Sequence, residues 1–338
     1  MTFRWNPHAA FSLMELVVVL ALLGLLAHLA VRELSKADGA RRHAAANRQL
    51  EELRTAIAGD PDARDATGAR LREGFLADLG RPPAAVPLDP SAPDSPLSLR
   101  ELWECPSDAG PFALRPATED NLVPACRGLG LADPDAYVPC GWRGPYLRLP
   151  LGATRLLDPW GNPLETPDTA GCARLLDAAT NAVAPGSAIA WACHFGADGR
   201  RDDPAERGSA PEDADALLRV DADSVTPVAT RLLVTVRQLD TLGAAAADAP
   251  GRQASAVLYS PCGSAITAAV HVATLDASAT AQILFDAGLT PGTRVLRVRL
   301  DNGQTGAPHS LRLQPGDNAF VETFRSPSGG FAPPSPLP

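Results

Sequence analysis

The chain has 338 residues, 45% of them hydrophobic and 5% aromatic, and a formal net charge of -9. An acidic balance with no basic block and no interleaved aromatics excludes nucleic acid as an expected partner. The length leaves room for about two domains, and 28 glycines with 33 prolines favour long loops and short elements.

Residues 1–10, MTFRWNPHAA, form a short leader whose one basic side chain is Arg4. Residues 11–31, FSLMELVVVLALLGLLAHLAV, follow at once. A run of about 20 apolar residues is long enough to cross a bilayer as a helix. A secretory signal would have a shorter apolar core with its small cleavage-site residues after it. Here the small pair, Ala9 and Ala10, precedes the run, so cleavage there leaves the apolar helix on the mature chain. Glu15 is the run's sole carboxylate, and an ionised group in lipid is costly unless paired or functional. Gly24 interrupts the helix, and His28 is expected at an interface or in packing rather than as a ligand.

The helical pattern continues beyond the membrane. Residues 32–58 are rich in Ala, Arg, Glu and Leu, with Leu34, Ala37, Ala45, Leu50, Leu53 and Ile57 forming a broken apolar stripe. Pro61 stops it. The predicted mast is a helix over 11–58, about 72 Å long at 1.5 Å per residue, with 11–31 in the membrane and the remainder packed on a head.

That head is expected over 59–200. Residues 71–79 open it, 84–98 read as a Pro- and Ser-rich surface loop, and 99–105 as a short helix. Two stretches, GWRGPYL at 141–147 and LDPWGNP at 157–163, are dense in turn formers around Trp142 and Trp160, which are expected to plug those turns. Residues 188–195, AIAWACHF, read as a strand running into the turn GADG at 196–199.

The segment AFSLMELVVVLALLGLLA resembles the processing and methylation motif of type IV pilins and type II secretion pseudopilins. The two Trp stretches and the GADG turn, in this order, are similar to the head of the major pseudopilin, so the resemblance spans roughly residues 9–200. It implies cleavage by a prepilin peptidase between Ala10 and Phe11, and methylation of Phe11. It also implies pairing of Glu15 with the N-terminal amine of a neighbouring subunit. Ala10 stands where the family usually has Gly. The implied fold is α+β, a long N-terminal helix on a small antiparallel sheet. The implied partners are other pilin or pseudopilin subunits, the peptidase, an inner-membrane assembly platform and membrane lipid. The implied location is the bacterial inner membrane with the body in the periplasm. The family often binds calcium near the end of the head, which makes Asp198, Asp202 and Asp203 candidate ligands. The alternative is a solvated charged loop, since the family's segment after this turn is missing. No other cofactor is expected.

Residues 201–228 read as a charged, Pro-containing linker. From 229 to 325 the texture changes to strand-like stretches at 231–238, 256–260, 266–274, 279–285, 294–300, 310–313 and 318–324. In RVLRVRL, Leu296, Val298 and Leu300 alternate with Arg297 and Arg299. Short strands at regular spacing predict a β-sandwich of immunoglobulin-like type. His271, between Val270 and Val272, is expected to face solvent. Residues 326–338 form a Pro-rich tail.

Cys105, Cys126, Cys140, Cys172, Cys193 and Cys262 make no zinc-type spacing. Outside the cytoplasm disulfides are the natural reading, with buried free thiols as the alternative. No common catalytic or nucleotide-binding motif is present. Cys193 and His194 are neighbours on a probable strand, so they point to opposite faces and cannot pair directly. The expectation is therefore no enzyme. It is a structural filament subunit of minor type in the membrane, with a displayed β-sandwich. The competing reading is a single-pass membrane-anchored binding protein.

Overall fold

The computed structural model describes residues 13–60, 74–92, 95–166, 175–176, 186, 189, 191–194, 216–219 and 230–325. The architecture is α+β: one long N-terminal helix, a head of short elements, and a C-terminal unit of long strands.

Helix α1 runs Leu13–Ala58, 46 residues, or about 69 Å at 1.5 Å per residue. Residues 14–38 are exposed throughout, and burial begins at Ala46. Ala46, Leu50, Leu53 and Ile57 recur at helical spacing and are buried. The expected stripe is therefore shorter than the sequence suggested: Leu34 is 69% exposed and Ala37 is exposed, because no other described element reaches that part of the helix. Gly59, at φ 83, closes the helix by donating its N–H to the Thr55 carbonyl at 2.8 Å. The chain re-enters at Gly74, where a Cβ would lie 2.2 Å from the Gly59 nitrogen, so only glycine fits.

Helix α2, Phe75–Leu79, is buried at all five residues. Around it the head carries β1 (Val86–Pro87), β2 (Leu97–Ser98), a 3-10 turn at Arg100–Leu102, β3 (Ala113–Ala117), β4 (Asp133–Cys140), β5 (Glu165–Thr166), β6 (Leu175–Leu176), β7 (Trp191–His194) and β8 (Ala216–Arg219). They pair as three small sheets, β1-β2-β5, β3-β4 and β6-β7-β8, and every pair is antiparallel. One core joins Leu50, Leu53 and Ile57 of α1 to Phe75, Leu76 and Leu79 of α2 and to Leu99, Leu102, Leu147 and Leu164.

The C-terminal unit holds β9 (Arg231–Leu239), β10 (Gln253–Cys262), β11 (Ala265–Thr274), β12 (Thr280–Phe285), β13 (Gly292–Leu300), β14 (His309–Leu313) and β15 (Asp317–Arg325). Each falls on one of the stretches expected from alternation. They form two sheets, β11-β10-β13-β14 and β12-β9-β15, with Leu232, Val234 and Val236 of β9 and Leu296 and Val298 of β13 in a shared core. The first and last strands, β9 and β15, are parallel neighbours.

This unit does not hang from a linker alone. Strand β4 lies against the outer face of the four-stranded sheet, and Ala136, Val138 and Cys140 share a core with Val257, Tyr259, Ile266 and Val295. Arg297 and Arg299, on the face opposite Leu296 and Val298, meet buried Asp133 at 3.2 and 3.7 Å. Fully buried Arg294 donates to the carbonyls of Ala77 in α2 at 3.2 Å and of Thr290 at 3.0 Å. Backbone bonds from Gly263 to Leu79 and from Ser264 to Asp108 complete the seam.

Tyr259 is fully buried and donates its hydroxyl to the Leu131 carbonyl at 2.8 Å. Burial, with Asp133 nearby, pushes its phenol up to about 12, against about 10 for an unfolded tyrosine. The fold thus favours the neutral form. Its contribution is intact below about pH 10 and is lost as pH rises through the folded value. Denaturant melts of wild type and Tyr259→Phe should therefore diverge in pH slope above pH ~10, the wild type falling more steeply; equal slopes would contradict this.

Candidate functional site

The chemistry-bearing region of α1 is its exposed, apolar first half. It is a helix long and apolar enough to cross a membrane, with none of that span buried in the body. Glu15 stands in its first described turn, where a carboxylate is favoured by the positive end of the helix dipole. Ala10 and Phe11 lie outside the described residues, as do Cys172 and the candidate calcium ligands Asp198, Asp202 and Asp203. Among the described residues no cluster of three or more His, Cys, Asp or Glu side chains is arranged to hold a metal.

The two Trp stretches dock this helix onto the head. In the first, Trp142 donates its indole N–H to the Glu101 carbonyl at 3.0 Å and meets Tyr146 edge-on at 6.0 Å. Tyr146 in turn donates to buried Asp78 of α2 at 2.9 Å and packs edge-on against Phe75 at 5.6 Å. Burial and the Asp78 carboxylate push the Tyr146 phenol far up, so it stays a donor. In the second, Asp158 organises the turn. Its Oδ1 accepts from the backbone N–H groups of Trp160 at 3.0 Å and Asn162 at 2.7 Å. Trp160 itself is half-buried. Gln49 of α1 donates to the Leu157 carbonyl at 2.8 Å, so this turn grips the helix directly. Sequence reasoning singled out both tryptophans but missed the carboxylates that hold the two stretches, Asp78 through Tyr146 and Asp158 through the backbone of Trp160 and Asn162, although Asp-Pro at 158–159 was the available signal for the second.

Buried His194 on β7 lies 4.0 Å from Asp158 by its Nδ1. Its neighbour Cys193 is also buried. His194 thus faces the 158–163 turn, while Cys193, its neighbour on the strand, points to the opposite face.

An open cleft of about 630 Å³ lies beside α2, lined by Arg81, Pro87, Arg100, Glu101, Cys105 and Asp108 among others. Arg81 binds Glu101 through both nitrogens at 2.8 Å and reaches Asp108 at 3.1 Å. Burial opposes the Arg81 charge, yet Glu101 and Asp108 outweigh it and push the guanidinium further up. Arg100 is held by Glu104, Nε to Oε2 at 2.7 Å. Both cations are thus committed to carboxylates of the chain. Desolvation and then Asp108 push the Cys105 thiol up, which leaves it protonated and a poor nucleophile. This cleft was not anticipated; its central ion pairs join Arg81 to Glu101 and Asp108, distant in sequence.

The expected disulfides are corrected for four cysteines: Cys105, Cys126, Cys140 and Cys262 are thiols. The fold sends three of these sulfurs to backbone acceptors. Cys105 faces the Gly110 carbonyl at 3.5 Å, Cys126 that of Ala268 at 3.7 Å and Cys140 that of Ser264 at 4.0 Å.

Comparison with known protein families finds no matching family model, and comparison with curated proteins finds no match.

Proposed function

We propose that this chain is a pilin-like structural subunit, inserted in a membrane by α1, processed before Phe11 and assembled into a filament through the exposed half of that helix. The observation that carries this reading is the division of α1. One half is apolar and exposed from Met14 to Val31, with Glu15 as its single carboxylate there. The other half is locked into the head core by Leu50, Leu53 and Ile57. Such a helix has two solvents in turn, lipid before assembly and the helices of neighbours after it. In the second, Glu15 would be neutralised by the amine of a neighbour's Phe11, which sets register along the filament. A contact of this head-to-tail kind does not close on itself and so propagates. The C-terminal unit, packed on the head through β10, β13 and the start of β11, adds bulk that suits a minor subunit of a secretion pseudopilus or type IV pilus-like fibre.

Mass analysis of the mature N-terminus tests processing. The expected species begins at Phe11 with an added methyl group; a chain still beginning at Met1 would leave α1 as an anchor and favour a membrane-held binding protein. Glu15→Ala separately tests assembly. It should leave membrane insertion intact and abolish filament incorporation, and normal incorporation would refute the pairing.

A further inference from the structure

The two sheets of the C-terminal unit leave four edges: β11, β14, β12 and β15. Long edges are pairing templates unless charge, proline or a cover blunts them. Strand β15 carries Asp317, Glu322 and Arg325, and its Glu322 meets His309 of β14 at 2.7 Å. Strand β11, AITAAVHVAT, is ten residues long and has no charge and no proline. Its tip is covered: the Ile266 N–H donates to the Asn121 carbonyl at 2.8 Å, and the Ile266 carbonyl accepts from Val123 at 2.9 Å. These bonds show which backbone groups point away from β10. They are those of Ile266 and of every second residue after it, since pairing alternates along an antiparallel strand. The next outward residue, Ala268, has its carbonyl against the Cys126 thiol at 3.7 Å. Beyond it, Val270 and Val272 have no backbone partner on that side among the described residues.

The side chains tell the same story. Val270 pairs with Val257 of β10 and so continues the face on which Ile266 packs against β4, but the cover has ended: Val270 is 42% and Val272 58% exposed. His271, expected to face solvent with its neighbours buried, is exposed, but its ring lies 4.6 Å from Phe285 on the inner side. The two valines are the outward pair.

We infer that β11 is a self-pairing edge, joining antiparallel to β11 of a second copy with His271 opposite His271. This register sets Val270 against Val272 of the partner copy, and Val272 against its Val270. Both pairs are then hydrogen-bonded pairs, each exchanging two N–H to carbonyl bonds, so all the outward groups of both valines are used. The occupant is a copy of this chain because a two-fold contact demands a surface complementary to itself. In a chain of net charge -9, most surfaces would oppose like charges, and this strand opposes none. The contact would also stack the apolar valines across the seam. It does not depend on filament assembly through α1.

Cross-linking of the full-length chain in detergent tests it. Cys105→Ser and Cys262→Ser remove the exposed thiols of the described residues, Cys172→Ser removes the cysteine outside them, and one new cysteine is then placed by His271→Cys or, on β15, by Val321→Cys. Opposed residues of a non-hydrogen-bonded pair have Cα atoms about 4.5 Å apart, inside disulfide range. Mild oxidation should give covalent dimer from position 271 and little from 321. Adding Val272→Pro removes an outward N–H that β10 does not use, and should bring the 271 dimer down to the 321 level. Val270→Lys combined with Val272→Lys should do the same, since the two changed positions then oppose each other as like charges, and this guards against a Pro variant that misfolds. No dimer from 271, equal dimer from 321, or a 271 dimer that survives both substitutions would overturn the proposal.

Discussion

Leu53→Ala should lower unfolding free energy by about 3 kcal/mol, in the range for a fully buried leucine truncated in a close-packed core. Leu53 has no exposed surface. It stands midway along the buried face of α1, where helix, α2 and the 141–147 stretch converge on one core. Truncation removes the transfer energy of its side chain and leaves a cavity that Leu50 and Ile57, fixed on the same rigid helix, cannot collapse to fill. The control is Leu34→Ala, at a site 69% exposed, which should change stability by less than about 0.5 kcal/mol. Equilibrium denaturation of the detergent-held chain, followed by tryptophan fluorescence, reads both. Equal, small effects would mean that α1 is not anchored in the head by this face.

Arg81→Leu is expected to cost about 3 kcal/mol, because removing one partner of a buried pair strands the other. Glu101 is 5% exposed and accepts from both Arg81 nitrogens and from the Ala84 N–H at 2.7 Å. Without Arg81 its charge has one backbone donor left. Arg81 itself is about a quarter exposed, so solvent returns part of the loss and holds the effect below the largest values seen for sealed pairs. The double substitution Arg81→Leu with Glu101→Leu should be less destabilising than Arg81→Leu alone, since no charge then remains to be buried. A double-mutant cycle measures the difference. Additive losses would show that the two side chains do not depend on each other.

The strands of the C-terminal unit were legible because their inner faces share one core, so alternation in stretches such as RVLRVRL survives in the sequence even where β10 and β13 also bury outer residues such as Tyr259 and Val295. The helix was legible for the same reason in its own period. The seam between head and C-terminal unit was not. It depends on Asp133 meeting Arg297 and Arg299, and on Arg294 reaching the Ala77 carbonyl. Local pattern carries no trace of a contact between residues so far apart. A buried arginine reads in sequence as a surface one, and Arg294 is among the largest side chains that the fold buries completely. The two Trp stretches fall between these cases. Their turn chemistry marks them as tight and Asp158 closes its own turn locally, but the bonds of Tyr146 to Asp78 and of Gln49 to the Leu157 carbonyl become visible only when α2 and α1 are in place. Four cysteines misled, since compartment and number suggested bridges, whereas Cys105, Cys126, Cys140 and Cys262 stand in the fold as thiols.

The parallel pairing of β9 with β15 has a mechanical consequence. The two strands run side by side in register from Asp317 against Arg231 to Arg325 against Leu239. Tension that enters at the start of β9 and leaves at the end of β15 pulls along the strands in opposite senses. Every rung of the ladder is then sheared at once, instead of being peeled in turn. A pull transmitted from the helix through this unit to anything held at its far end would meet the unit in its most resistant direction.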